Sequence, residues 1–423
     1  MQVLQLNLSD YSLTGGTGIT MHRLHTGINK KGIESKIFCA RNQFSDRNIA
    51  VQKRCYTVRA VEAILRKLEV EVGLNDISRV ISSLNIRKHE AYRATDIVNL
   101  HCIHDEFISY LALPWLTRKP TVFTIHDMWA FTGHCTSSYE CERWRSGCGE
   151  CPHLEAPPRV KKDNTRLEWN LKNWAYSRSR LHVVTPSQWI YDLAQKSMLR
   201  RFPIHYIPHG LDTEVYYPQN KEHCRSVLGI PSGKKVLMFG TSSIKDYRKG
   251  GDLLIKALQM IPTSIKSETV VVTIGHGKVK SEDIGMPCLN FGYVDSDYFK
   301  AIIYAAADIF VYPTRSDSFG LVSMESLACG TPVVTFRVGG LTDTVRPNIT
   351  GLLAEPENIA QFRDFIVQLL EDDNLRATMS ENCRKVAVKE YSLELYAQRY
   401  IDLYHQILQI STDKNQVKCD TNN

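Results

Sequence analysis

Short apolar runs of four to six residues alternate along this chain with longer stretches whose apolar positions recur at helical spacing. The runs at 3–6, 34–39, 96–99, 122–125, 181–185 and 204–207 predict strands in the first half. Those at 236–240, 270–274, 289–294, 309–312 and 332–336 predict strands in the second. Helical periodicity covers 19–31, 58–72, 164–180, 252–260, 298–307, 357–370, 373–388 and 393–410. Strand and helix taking turns imply α/β architecture with parallel sheets, because a parallel neighbour needs a long crossover. A link rich in Pro, Gly and charge precedes residue 236, where the pattern restarts. The expected organisation is a first domain at 1–205, a second at 206–392, a closing helix at 393–411 and a polar, disordered tail at 412–423.

Residues 309–340, IFVYPTRSDSFGLVSMESLACGTPVVTFRVGG, hold the densest chemistry. A buried strand ends at Pro313, a loop follows at 314–318, and Phe319-Gly320-Leu321 leads into a helix that Gly330 closes before the next strand. In doubly wound folds ligands sit beyond the carboxyl ends of such strands. Asp317 and Glu325 lie eight residues apart, one before the helix and one inside it. One acid can hold a polyol and the other a ribose, with backbone N–H groups of the helix start facing a phosphate. The bland alternative is a buried strand–helix–strand with charges at its rim.

Two other glycine loops open helices. Gly15-Gly16-Thr17-Gly18 follows the first strand and lets the backbone approach a pyrophosphate, with Gly16 the expected contact. Arg248-Lys249-Gly250-Gly251 precedes the helix at 252–260 and offers the cations that a diphosphate requires. Asp295-Ser296-Asp297 opens the helix at 298–307 and reads as an N-cap, not a metal motif.

Composition narrows the class. The chain has 423 residues, 43% hydrophobic and 23% charged, enough for two or three domains that each bury a core. Its net charge of +7 suits phosphorylated substrates or an anionic membrane surface, and equally a solvated basic face. MQVLQLNLSD lacks the marks of a signal peptide, and no apolar run is long enough to span a bilayer. Without an export signal, the 12 cysteines read as thiols or metal ligands before disulfides. The expected location is cytoplasmic, on the inner face of the plasma membrane where a membrane is involved.

The Asp317-x7-Glu325 spacing resembles the Glu-x7-Glu signature of the retaining GT-B glycosyltransferases of family four, with Asp in place of the first Glu. Further matches run from Gly15 to about residue 410, including LHVVTPSQW and YIPHGLDTEVYYP, where His209 stands in a position often held by Asn. The resemblance is strongest to bacterial exopolysaccharide and colanic-acid enzymes. It implies two Rossmann-like domains facing a cleft, the first on the acceptor side and the second binding the nucleotide sugar, and a C-terminal crossover helix. It implies a hexose moved with retention from a UDP- or GDP-sugar to a glycan or lipid-linked acceptor in cell-surface polysaccharide synthesis, without a catalytic metal. Nucleic acid is not an expected partner.

Residue by residue, the resemblance assigns His126, after the strand at 122–125, to the transferred sugar. It assigns Lys249 and Arg248 to the donor phosphate, Asp317 to sugar hydroxyls and Glu325 to the ribose. Phe319, Gly320, Leu321 and Val322 would meet phosphate and sugar, and Tyr293 and Val294 the base. An arginine usual after the strand at 236–240 is replaced by Thr241 or Ser242, with Arg248 or Lys245 compensating. Three rivals are an epimerase of the same fold, a glycogen-synthase-like polymerase and a non-catalytic sugar-nucleotide binder.

Three segments stand apart. HCTSSYECERWRSGCGECPH, residues 134–153, spaces Cys135, Cys141, Cys148 and Cys151 as C-x5-C-x6-C-x2-C. A structural zinc is one reading, with His134 or His153 able to replace a cysteine; two disulfides or free thiols are the others. The stretch at 58–72 reads as an amphipathic surface helix that can also lie on a membrane. Trp169 and Trp174, among basic residues, read as the packing face of an ordinary helix.

Overall fold

The computed structural model describes residues 1–11, 15–42 and 46–420, the side chains up to residue 410. Contacts divide the chain into two compact units, Met1–Pro208 with the chain from Tyr396 onward, and His209–Leu395. Each is a Rossmann-like α/β unit built on one all-parallel sheet.

The first unit has seven strands: β1 (Gln2–Ser9), β2 (Glu34–Arg41), β3 (Ile49–Val51), β4 (Ile97–Leu100), β5 (Thr121–Thr124), β6 (His182–Thr185) and β7 (Ile204–Tyr206). Their order is β3-β2-β1-β4-β5-β6-β7. The order reverses between β1 and β4, so the crevice of this sheet opens beyond their carboxyl ends. β3 is an addition to the sequence reading; three residues are too few for a periodic signal. The central strands are apolar and fully buried because helices cover both faces.

The last helix spans Leu393–Asp420, so it runs on where the sequence reading ended it at 410 and expected a disordered tail. Residues 421–423 of that tail, and 12–14 of the first glycine loop, lie outside the described residues. Tyr396, Tyr400 and Tyr404, four apart on one face, bury this helix against the first sheet. Asn99 Nδ2 donates to the Tyr404 hydroxyl at 2.9 Å, and the Tyr400 hydroxyl meets Thr124 Oγ1 at 2.9 Å.

The helix Tyr56–Val72 is turned inside out. Its buried residues are Glu62 and Glu69, while Tyr56, Val61, Ile64, Leu68 and Val72 face solvent. Glu69 accepts the backbone N–H groups of Asp76 (3.0 Å), Ile77 (3.1 Å) and Ser78 (2.6 Å). Glu62 meets Arg54 and Arg79 and accepts the N–H of Ser82 at 2.9 Å. Polar anchors hold this helix where apolar packing would be expected.

The second unit has six strands: β8 (Lys235–Ser243), β9 (Thr269–His276), β10 (Cys288–Asn290), β11 (Ile309–Tyr312), β12 (Val333–Phe336) and β13 (Gly351–Ala354), ordered β10-β9-β8-β11-β12-β13. Two sequence expectations are corrected. β10 stops at Asn290, so Gly292, Tyr293 and Val294 belong to a loop; Gly292 has φ 69°, which no strand accommodates. Gly351-Leu352-Leu353, which the strand pattern passes over, is the edge strand β13, paired in register with β12 from Val333 to Phe336. The reversal of order falls between β8 and β11, which places residues 241–250 and 313–320 at one crevice.

Candidate active site

In the second unit the crevice is built by two loops that only glycine allows to touch. Gly250 has φ 69°, and a Cβ there would lie 1.8 Å from the Pro313 carbonyl oxygen. The loops are then stapled: Thr314 Oγ1 and the Arg315 N–H both donate to the Arg248 carbonyl at 2.7 Å. This brings Lys249 over the end of β11.

Lys249 Nζ lies 2.8 Å from Asp317 Oδ2 and 2.9 Å from the Tyr312 hydroxyl, which itself donates to Asp317 Oδ2 at 2.8 Å. The other carboxylate oxygen of Asp317 accepts the N–H groups of Phe319 (3.1 Å) and Gly320 (2.8 Å). Burial alone would push this carboxyl up, but Lys249 and these hydrogen bonds outweigh it and hold it at about 2. Burial opposes the charge on Lys249, and Asp317 and Tyr312 overcome it and raise its pKa. An ammonium has three N–H donors and two are used here, so one remains for a ligand.

Gly320, at φ 85°, turns the chain into the helix Leu321–Ala328, whose first N–H groups open toward the same crevice. The Ser323 hydroxyl in its first turn is buried without a hydrogen-bond partner among the described residues. Glu325 is buried in that helix, with the Tyr304 hydroxyl donating to it at 3.4 Å. Thr241, at the end of β8, has a buried hydroxyl that likewise has no partner among the described residues.

Other expected residues stand differently. Arg248 is committed to Asp246, with Nη2 2.8 Å from Oδ2 and Nε 3.2 Å from Oδ1. Lys245 is exposed. Phe319 packs in the core, edge-on to His209 at 5.0 Å, so its backbone and not its ring belongs to the site. Tyr293 is half exposed and stacks on His276 at 4.9 Å with an interplanar angle of 6°, while Val294 packs on the core.

Sequence reasoning missed Tyr312, Arg315 and His276. Tyr312 ends an apolar strand and reads as core, although its hydroxyl completes the Lys249–Asp317 pair. Arg315 binds Asp252 through two bonds of 2.8 and 2.7 Å and lies over the Tyr247 ring at 3.8 Å, which ties the loop down.

In the first unit, His126 follows β5 and its Nε2 lies 3.1 Å from His101 Nδ1; His101 Nε2 meets Gln5 Oε1 at 2.8 Å. Burial lowers His126 to about 4, so it is neutral at pH 7. With Gln5 accepting from His101, the proton of His126 sits on Nε2 and its Nδ1 carries the lone pair. His104 bridges Asp105 (Nδ1 to Oδ2, 3.2 Å) and Asp127 (Nε2 to Oδ2, 3.4 Å). Burial opposes its charge, but Cys102 and the two acids raise its pKa well above the ordinary value. Thr17, His101, Cys102, His104, His126 and Asp127 line a cavity of about 10 Å³. Gly16, beside Thr17, opens the helix Gly16–Lys30.

The described cysteines are all free thiols. Burial pushes Cys135 up to about 12 and Cys148 up to about 11, and neighbouring thiols of the same loop add to both shifts. Among the described residues, the group with three metal-type ligand atoms within 4.8 Å of one another is Cys102, His104 and Asp105, not the four loop cysteines.

Two Rossmann-like units, each on one parallel sheet, are the architecture of a GT-B protein. Residues 14–215 match the family described as Glycosyltransferase Family 4, and residues 220–386 match Glycosyl transferases group 1. Both matched families are glycosyltransferases, and the two matches lie one after the other along the chain. It is 26% identical over 383 residues to a D-inositol 3-phosphate glycosyltransferase of Arthrobacter sp., covering 86% of this chain and 84% of that protein. To the protein of the same description in Corynebacterium jeikeium it is 29% identical over 243 residues, 54% of this chain and 57% of the relative. The chain thus spans little more than half the length of some curated relatives it matches. Among solved structures, sucrose-phosphate synthase of Thermosynechococcus elongatus shares the fold at TM-score 0.70 and 18% identity, over 97% of this chain and all of that one. The Anabaena protein HepE, solved with UDP and glucose, does so at TM-score 0.65 and 16% identity, over 95% of this chain and 99% of that one. No helix among the described residues is long and apolar enough to cross a membrane.

Proposed function

We propose that the protein is a retaining hexosyltransferase that takes its sugar from a UDP- or GDP-sugar and passes it to a glycan or lipid-linked acceptor in cell-surface polysaccharide synthesis. The carrying observation is Lys249, held between Asp317 and Tyr312 at the switch point with one N–H unspent. That N–H and the first N–H groups of the helix Leu321–Ala328 would hold the donor diphosphate. Glu325 would take the ribose, and the His276–Tyr293 pair would flank the base. Asp317, fixed by two backbone N–H groups, would meet the sugar hydroxyls. HepE was solved with UDP and with glucose, a precedent for this class of donor on the same fold.

Transfer with retention follows on one face of the sugar. The bond from the anomeric carbon to the phosphate oxygen breaks as the acceptor oxygen attacks, and the acceptor proton goes to the departing phosphate oxygen. Lys249 stabilises the charge that grows on that phosphate, the role a divalent ion plays in other transferases. The face of the helix Tyr56–Val72, apolar and flanked by Arg59 and Lys67, supports an acceptor at an anionic membrane surface.

The test is a thermal-shift screen with UDP, GDP, ADP and CMP, with donor turnover measured beside it. One nucleotide should stabilise the protein by about 2.7 kcal/mol at 100 times its Kd and stabilise Lys249→Ala much less. No stabilisation by any diphosphate would sink the reading. Binding without turnover of any donor would leave the non-catalytic relative in its place.

A further inference from the structure

The loop after His126 contains more order than its sequence can supply by packing. Between Thr132 and Pro158 one large apolar side chain is buried, Trp144, whose ring meets Phe131 at 5.2 Å and whose carbonyl accepts the Trp169 indole N–H at 2.8 Å. Around it the chain takes four consecutive positive φ values: Gly147 (140°), Cys148 (52°), Gly149 (91°) and Glu150 (47°). Two of these are not glycine, and L-residues hold that conformation only when something over-determines it.

What converges there is ligand chemistry. The Gly133 N–H donates to Cys148 Sγ at 3.2 Å. The Cys151 N–H is fixed by Asp163 Oδ2 at 2.6 Å and the Gly149 N–H by Thr165 Oγ1 at 2.9 Å, so both ends of the Cys148–Cys151 knuckle are pinned to the start of the helix Thr165–Ser177. Gly149, at φ 91°, holds a conformation that favours glycine, with the Arg166 side chain packed against it. His134, buried to 2%, places Nδ1 2.9 Å from the Pro158 carbonyl. That carbonyl can only accept, so it fixes the proton on Nδ1 and leaves the Nε2 lone pair directed at Cys151 Sγ, 3.5 Å away. Two ligands of one tetrahedral zinc, at Zn–S of about 2.3 Å and Zn–N of about 2.0 Å, are separated by about 3.5 Å. A ligating histidine whose other ring nitrogen donates to a carbonyl is the usual outer-shell arrangement.

We propose that this loop binds one structural zinc through Cys148 and Cys151, with two of Cys135, Cys141 and His134 completing the tetrahedron. No three of these ligand atoms yet lie within 4.8 Å of one another. The pair already at ligand spacing is Cys151 Sγ and His134 Nε2, 3.5 Å apart. The Cys102–His104–Asp105 group is tighter, but both imidazole nitrogens of His104 face carboxylates there, at 3.2 Å from Asp105 and 3.4 Å from Asp127. The zinc would act as a staple between the segment following His126-Asp127 and the helix Thr165–Ser177.

Elemental analysis of protein purified without chelator should give about one zinc per chain, and a thiol-specific mercurial should release it into a zinc indicator with a fall in Tm. Cys148→Ser with Cys151→Ser should lower zinc content at least about tenfold, and single changes at Cys135, Cys141 and His134 then identify the other two ligands. Where the double variant does not fold, the mercurial release from the unmodified chain decides alone. Metal-free protein with all thiols free, the same sulfurs joined as disulfides, or zinc retained after loss of both knuckle cysteines would each overturn the proposal.

Discussion

At the residue scale the molecule spends a buried ion pair where a simpler core residue would do. Asp317 and Lys249 are each about four-fifths buried, and three short hydrogen bonds close the triangle with Tyr312. The carboxyl is held at about 2 against an ordinary 3.8. A lowered folded-state value adds stability that is complete above the unfolded value and disappears as the pH falls through the folded one. The window is therefore pH 4 down to about 2, and the amount is about 2 kcal/mol for this one group. Removing the ammonium by Lys249→Met leaves the buried carboxylate with Tyr312 and the Phe319 and Gly320 N–H groups but no opposite charge. Its pKa then rises, and the loss of stability begins at higher pH. Urea unfolding from pH 2 to pH 7 should show the acid limb moved upward by about one pH unit or more, and Asp317→Asn in the same background should abolish the difference. Identical acid limbs in the two proteins would mean that the pair contributes nothing. Arg248 carries no such expectation, since Asp246 already neutralises it.

At the scale of elements, the helix Tyr56–Val72 shows a fold choice made by two carboxylates. Glu69 caps three consecutive backbone N–H groups of the following turn and meets Arg66 at 2.6 Å. Glu69→Ala would strand those buried donors, a loss of about 3 kcal/mol. Glu71→Ala, which removes an exposed pair with Lys161, should change stability by less than about 0.5 kcal/mol. Comparable urea midpoints for the two variants would show that the buried carboxylate is not the anchor. Nothing in the residue pattern marks this inversion, because the apolar stripe reads the same whichever way it faces. The rest of the element pattern was legible to the extent that apolar runs were long or ended by Pro or Gly. β11 ends at Pro313 and matches its expected span residue for residue. β13 was hidden because Gly351 made a short apolar run look like a turn, and only its register with β12 makes it a strand. In the site, Asp317, Glu325 and Lys249 were readable from spacing and glycine context. Tyr312 was not, since nothing in an apolar strand announces that its last hydroxyl is used. Trp174 also differs from expectation: it is half exposed, with the Arg178 guanidinium 4.8 Å over its ring, while Trp169 does the packing.

For the whole molecule, the distribution of apolar and basic surface bears on where it works. The chain carries a net charge of +7. An exposed apolar stripe, Val61, Ile64, Leu68 and Val72, recurs at helical spacing on one helix beside Arg59 and Lys67. The proposed occupant of that face is an anionic bilayer surface, because apolar side chains at the acyl boundary and cations at the headgroups are what such a helix satisfies. A soluble acidic partner would account for the cations but not for the apolar stripe. Two dependences then follow together. The protein should pellet with vesicles containing anionic phospholipid and not with neutral ones, and the bound fraction should fall as salt is raised, since the Debye length drops to about 3 Å at 1 M. Ile64→Glu with Leu68→Glu should lower vesicle affinity at least about tenfold while leaving the nucleotide-induced shift in Tm intact, because burying two carboxylates at the bilayer boundary is costly and neither residue belongs to the second unit. Equal pelleting of the variant, or pelleting with neutral vesicles alone, would remove the membrane from the proposal and leave a basic face that only water and counterions meet.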